Sequence, residues 1–211
     1  QARQAILAHV HPLEAETVPL LQALGRTLAA DVYAPEDIPP FQNSAMDGYA
    51  VRSVDVAAAG REHPVALRVI GNLAAGVAPS GPVGPQTTIR IMTGAPMPPG
   101  ADAVVPFEHT DEGQPSALAH PHSVQIYKAV SAGENVREAG EDVRRGERVL
   151  ERGTWLRPPE IGLLASLGQA QVAVARQPRV AVLATGDELV DLDEPLTPGR
   201  IRNSNGYANA A

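Results

Sequence analysis

The chain has 211 residues, with 17 basic and 24 acidic side chains and a formal net charge of −7. Hydrophobic residues make up 44% and charged residues 19%, a balance that builds a core and excludes a disordered or collagen-like chain. The acidic surplus argues against a phosphate-backbone coat, and no apolar run nears the ~18 residues of a bilayer span; nucleic acid and membrane are not expected partners.

Cysteine is absent, so disulfides, iron–sulfur clusters and zinc–thiolate sites are excluded, and any metal must be held by oxygen or imidazole. A reducing cytoplasm fits this composition. Along the chain, Ile6, Val10 and Leu13, then Leu20, Leu21, Leu24 and Leu28, repeat at helical spacings. Pro12 and Pro19 interrupt them and predict two short helices rather than one long one. After Asp31 the texture changes to short β-branched segments, Val65 to Ile70, Thr87 to Met92, Ala103 to Phe107 and Val124 to Tyr127, joined by Gly/Pro-rich turns. From about Arg148 helical periodicity returns, with Pro158 and Pro159 at a helix start and Ile161, Leu164, Ala165 and Leu167 on an apolar face that ends at Gly168. A mainly β module is thus predicted between two helical pieces. Arg179 to Ala184 reads as a strand buried on both faces, emitting a polar turn at Thr185-Gly186-Asp187-Glu188.

The loops carry the chemistry. In Asn43 to Arg52, small polar residues surround Asp47, and Gly48 lets the turn hold that carboxylate at one angle; an ordinary Asp-Gly hairpin turn reads the same way. Thr93, where Ile91-Met92 runs into Gly94, offers a hydroxyl and an N–H to an oxyanion, as does any plain strand end. Glu108 follows the next apolar strand as a rim residue. Glu138, Glu141 and Asp142 beside Gly140 form an oxygen-donor loop suited to Mg2+, or a solvated charged face. Asp187 and Glu188 sit where open α/β sheets bind ligands, outside the carboxyl end of a strand, though such turns also serve no ligand. His9/His11 and His120/His122 are spaced to share a strand face, without a third ligand placed by sequence. Dinucleotide, Walker and nucleophile-elbow motifs are absent from the sequence.

Taken together, six segments in one order resemble the MoeA family of molybdopterin molybdenumtransferases, whose animal member is gephyrin. They are PPFQNSAMDGYAVR (Pro39 to Arg52), IRIMTGAPMPPGADAVVPFE (Ile89 to Glu108), NVREAGEDVRRGERVL (Asn135 to Leu150), IGLLASLG (Ile161 to Gly168), PRVAVLATGDELV (Pro178 to Val190) and GRIRNSN (Gly199 to Asn205). The resemblance runs from about Pro12 to Asn205. It implies an α+β multidomain fold: a discontinuous helical dimerisation domain over 1–33 and 147–177, an inserted β-rich domain over 34–146, and over 178–211 the first strand and start of a molybdopterin-binding α/β domain. It further implies a homodimer in which adenylylated molybdopterin and molybdate meet between the β-rich domain of one subunit and the α/β domain of the other, with AMP released and Mg2+ assisting. Asp47, Asp142 and Glu188 are then the catalytic and metal-binding acids. Thr93, Thr185, Gly186, Asp187, Ser204 and Asn205 are substrate contacts. Molybdopterin adenylyltransferase is the implied upstream partner, and a gephyrin-like scaffold without transferase activity is the alternative. Because the family's further substrate loops and final barrel would follow Ala211, these 211 residues alone are expected to be inactive.

Overall fold

The structure, a computed structural model, describes residues 2–11, 13–113 and 122–211. In chain order come α1 (Ala2–Leu7), β1 (Ala15–Pro19), a 3₁₀ turn (Leu20–Ala23), β2 (Val32–Tyr33), β3 (Asn43–Ser44), β4 (Gly48–Val51), β5 (Val65–Leu73), β6 (Thr87–Ile91), β7 (Ala103–Pro106), β8 (Ser123–Ile126), β9 (Val136–Arg137) and β10 (Arg148–Leu150). They are followed by α2 (Pro158–Ser166), β11 (Gln171–Ala175), β12 (Leu189–Val190), β13 (Ile201–Arg202) and α3 (Ser204–Ala210). The class is α+β. Among the described residues no helix is long and apolar enough to cross a membrane.

A five-stranded sheet in the order β7-β4-β6-β5-β8 forms the centre of the β module. Only β5 and β6 run parallel; the other neighbours are antiparallel. Strand alternation sends Tyr49, Val51, Ala103 and Val105 to one core and Ala50, Ile89, Ile91 and Val104 to the other. Both faces are therefore covered, which is why β4 and β7 are buried along their whole length. On β5, Leu67 belongs to the first core and Leu73 to the second although they share parity. The register shift between Val69 and Gly71 turns the strand over between them.

A third core joins the two ends of this region. Ala23 and Leu28 pack with Leu156, Leu164, Val172 and Val174. β1 pairs antiparallel with β11 from Ala15↔Ala175 to Pro19↔Gln171, and β2 pairs with β10. Leu28, Leu156 and Leu164 are fully buried, each contributing about 2 kcal/mol of transfer free energy. α2 starts at Pro158 and Pro159, where missing N–H groups cost nothing. The Arg157 N–H donates to the Glu160 carboxylate at 2.9 Å, and its guanidinium binds the same group at 2.6 Å. That pairing pulls the Glu160 carboxyl down to about 2. Gly168, at φ +71°, closes the helix in the left-handed region.

Three expectations are corrected. Leu20 to Leu28 is not a helix: it is a 3₁₀ turn followed by a turn at Gly25 (φ +75°) and a bridge from Leu28 to Val174. The distant strand β11 supplies hydrogen bonds that override the leucine spacing. Helical structure likewise begins at Pro158 rather than near Arg148, because Arg148–Leu150 pairs with β2 as β10. The unit built from the two end pieces is therefore as much β as helical. Thirdly, Arg179 to Ala184 is no strand and is not buried; Val180 is 78% and Leu183 87% exposed. Among the described residues no strand lies alongside to pair it. The segment after it folds locally instead, β12 running parallel to β13 ahead of α3.

Candidate active site

β3 is two residues long, yet it organises the polar end of the β module. Asn43 and Ser44 pair with Arg137 and Val136 of β9. On the other side, the Ser44 N–H donates to Ala95 O (3.0 Å) and its carbonyl accepts from the Gly94 N–H (2.9 Å). The following bend is fixed by the Ala45 N–H on Asn135 O (2.9 Å), and the Met46 N–H donates to Ser44 Oγ (3.3 Å). The bend delivers Asp47 into β4; it is not the hairpin turn its Asp-Gly pair suggests, because β3 and β4 do not pair.

Asp47 and Thr93 meet. The Thr93 backbone N–H and its hydroxyl both donate to Asp47 Oδ1, each at 2.7 Å. These two bonds, the backbone one foremost, hold the Asp47 carboxyl below the usual carboxylate range, with the Arg90 charge adding a smaller effect. Among the described residues no hydrogen bond engages Oδ2. An ionised carboxylate is thus held in one orientation with one oxygen occupied and the other free. The Asp47 carbonyl is held as well, by the Phe107 N–H at 3.2 Å.

Asp142 lies in the β9–β10 loop, where its N–H donates to Ile38 O (2.9 Å). Both of its oxygens accept from Arg137 Nη2 at 2.7 Å, while Arg137 Nε lies 3.5 Å from Glu141. Arg137, whose guanidinium is pushed up by this pairing, stands opposite Asn43, four residues before Asp47. The Asp47 and Asp142 loops therefore leave two strands, β3 and β9, that pair with each other, and among the described residues no hydrogen bond joins the two carboxylates. Sequence reasoning passed over Arg137; a cation five positions before a loop acid was the available signal.

The remaining candidates gather elsewhere. Thr185, Glu188, Ser204 and Asn205 line one pocket with Leu189, Arg202 and Asn209. The Asp187 carbonyl accepts from the Arg200 guanidinium, and Asn203 Oδ1 caps α3 through the Gly206 N–H (2.9 Å). Neither Gly186 nor Asp187 lines that pocket. Among the described residues no three His, Asp or Glu side chains gather as a metal site, so Asp47, Asp142 and Glu188 do not form one cluster in this chain. Glu108 is exposed in the 3₁₀ turn after β7. His120 lies outside the described residues.

The family model "MoeA N-terminal region (domain I and II)" matches residues 1–168. Molybdopterin molybdenumtransferase 2 of Mycobacterium tuberculosis strain H37Rv is 46% identical over 195 residues, 92% of this chain and 46% of the relative. The molybdopterin molybdenumtransferase of Bacillus subtilis strain 168 is 42% identical over 200 residues, 93% of this chain and 46% of the relative. Among solved structures, the molybdopterin biosynthesis moeA protein from Pyrococcus horikoshii OT3 superposes with a TM-score of 0.86 at 34% identity, covering 98% of this chain and 53% of that one. A fold shared with that moeA structure over nearly the whole chain, at 34% identity, defines the class as a MoeA-type α+β protein. It belongs to the MoeA family. The chain spans about half the length of the curated relatives it matches.

Proposed function

We propose that this chain forms the part of a molybdopterin molybdenumtransferase that holds the phosphate end of adenylylated molybdopterin while molybdate enters at the dithiolene and AMP leaves. The observation that carries the reading is the Asp47–Thr93 pair, a carboxylate kept ionised and oriented at the mouth of a loop cluster. Such an acid repels a pyrophosphate unless a cation lies between them. Mg2+ usually keeps several waters and takes one or two carboxylates together with substrate phosphates. The donor set fits that mode: Asp47 offers its free oxygen, and Asp142 becomes a second donor when Arg137 exchanges its partner for a substrate phosphate. When bound, Mg2+ would supply charge neutralisation at the phosphoryl oxygens. The chain's own residues do the positioning, Thr93 fixing the Asp47 carboxylate and Arg137 fixing Asp142.

In the same reading, Thr185, Gly186, Asp187, Glu188, Ser204 and Asn205 form a second wall, with Glu188 a further acid toward the metal. The core joining both ends is one domain and the five-stranded sheet the other. A homodimer brings the two walls together across subunits, and molybdopterin adenylyltransferase supplies the substrate. In this reading the dimer surface does not use the α2 face. Leu164 is consumed by its own core, Ile161 packs against that core and Leu167 is buried, while the side chain of Ile6 lies outside the described residues. The exposed apolar residues of this unit include Leu7, Val10, Leu13, Leu21, Leu24 and Trp155, and these support the dimer.

The test is molybdate-dependent AMP release from adenylylated molybdopterin by the full-length enzyme. Asp47→Asn is expected to lower turnover on the order of a hundredfold, within the range of lost electrostatic contacts, with little change in thermal stability. Turnover within twofold of the parent overturns the reading.

A further inference from the structure

The Asp47–Thr93 pair is not self-supporting. β4 and β6 run antiparallel with Gly48 opposite Ile91 and Tyr49 opposite Arg90, so Tyr49 lies two residues after Asp47 and Arg90 three before Thr93. Their side chains converge on one carboxylate that belongs to neither strand. Glu112 accepts from the Tyr49 hydroxyl at 2.6 Å, and from Arg90 Nη2 at 2.6 Å and Nε at 3.1 Å. Arg90 lies over the Phe107 ring with its guanidinium carbon 4.4 Å from the centroid, and Tyr49 meets the same ring edge-on at 5.6 Å. Phe107 is the residue whose N–H holds the Asp47 carbonyl.

The group is thus a closed set in which each member touches the strand ends that carry the site. We propose that Glu112 is a positioning residue of this site: by clamping Tyr49 to Arg90 and both to Phe107, it sets the offset between the ends of β4 and β6 at which Thr93 can give two hydrogen bonds to Asp47. The proposal rests on reading Asp47 and Thr93 as the substrate-facing pair, but it concerns their geometry and not their turnover. Among the described residues Glu112 itself makes no hydrogen bond to Asp47 or Thr93. A salt bridge with side chains about 30% exposed contributes little to stability in general; its location at the strand pair is what gives it leverage.

The test is NMR on this 211-residue chain. An amide proton given to a carboxylate resonates downfield of one given to a neutral acceptor, so Asp47→Asn sets the reference shift for Thr93. Glu112→Ala is expected to move the Thr93 amide resonance toward that reference and to lower its hydrogen-exchange protection on the order of tenfold. Glu112→Asp, which keeps the charge, is expected to recover most of both. Glu160→Ala, which removes the α2 cap, is expected to lower thermal stability while leaving Thr93 unmoved. A Thr93 signal unchanged in folded Glu112→Ala overturns the proposal and leaves Glu112 a stabilising surface group. Should Glu112→Ala fail to fold, the isosteric Glu112→Gln decides, since it keeps the shape and loses the charge: an unmoved Thr93 refutes and a partial shift supports. Because no readout depends on turnover, failure here leaves the transferase reading standing, and an inactive Asp47→Asn enzyme says nothing for or against Glu112.

Discussion

Gly48→Ala is the perturbation that ties the fold to the site most directly. Gly48 sits between Asp47 and Tyr49, paired on one side with Ile91 of β6 and on the other with Pro106 of β7. A Cβ added there would lie 2.1 Å from Val105 O, 2.8 Å from Val105 C and 2.9 Å from Pro106 Cα. All three are backbone atoms, and ordinary contact begins only at 3.4 Å, so β7 would have to retreat by more than an ångström. Retreat loosens the ladder at Gly48 and the Phe107 N–H bond to Asp47. Overpacking of this kind costs about 1–3 kcal/mol, and two weakened backbone bonds add about 1 kcal/mol each, so a loss of about 3–5 kcal/mol is expected. For a unit of about 100 residues that is a fall in Tm of roughly 15–25 °C. Differential scanning calorimetry measures it, and hydrogen exchange at Thr93 reports whether the site loosens with the strand. A Tm within about 3 °C of the parent would show that β4 and β7 part freely and that the steric argument is wrong.

Leu28→Ala and Leu164→Ala, from opposite ends of the sequence, are each expected to cost about 2–5 kcal/mol and to lower the same calorimetric transition, because both side chains fill one core; shifts in two different transitions would refute a single unit. The Glu112 carboxyl is held below its ordinary range, chiefly by Arg90. Its stabilisation is therefore complete above the unfolded value of about 4.3 and lost as pH falls through the lower folded value. Glu112→Gln is expected to flatten the stability curve below about pH 4 and to leave its slope near neutrality unchanged, as read by thermal unfolding across that range. Sedimentation of the chain at micromolar concentration is expected to give a dimer that Leu21→Glu with Trp155→Glu converts to monomer; a parent that sediments as a monomer would refute pairing through this surface.

How much of this could be read from the residues depends on where each segment finds its partners. Ala103–Pro106 was legible because both its faces are covered, and a covered strand writes a continuous apolar run; Val65–Leu73, Thr87–Ile91 and Ser123–Ile126 were legible because their buried apolar and β-branched residues fall in short, strand-length segments bounded by turns. α2 was legible because Pro158-Pro159 and Gly168 state its limits in local chemistry. β1 was not. Its partner β11 lies more than 150 residues away, and the leucines after it satisfy a helical spacing that a remote ladder overrides. Arg179 to Ala184 misled in the opposite sense: its composition describes a buried strand, while among the described residues no strand pairs with it and it is exposed.

The site divides along the same line. Asp47, Thr93 and Asp142 are exposed polar side chains in loops and have no packing role of their own, so their chemistry is visible one position at a time. What fixes them is pairwise and distant. Asp142 is held by Arg137 across a loop, Asp47 by Thr93 across 46 positions, and Tyr49 by Glu112 across 63. A single sequence shows an acid but not the donor that selects its ionisation and orientation, since that donor is chosen by strand register. Register, here, is set by apolar alternation in β4, β6 and β7. The site's electrostatics are thus a consequence of core packing: a shift of β4 by one residue would turn Tyr49 out of its core and take Asp47 away from Thr93 in the same movement.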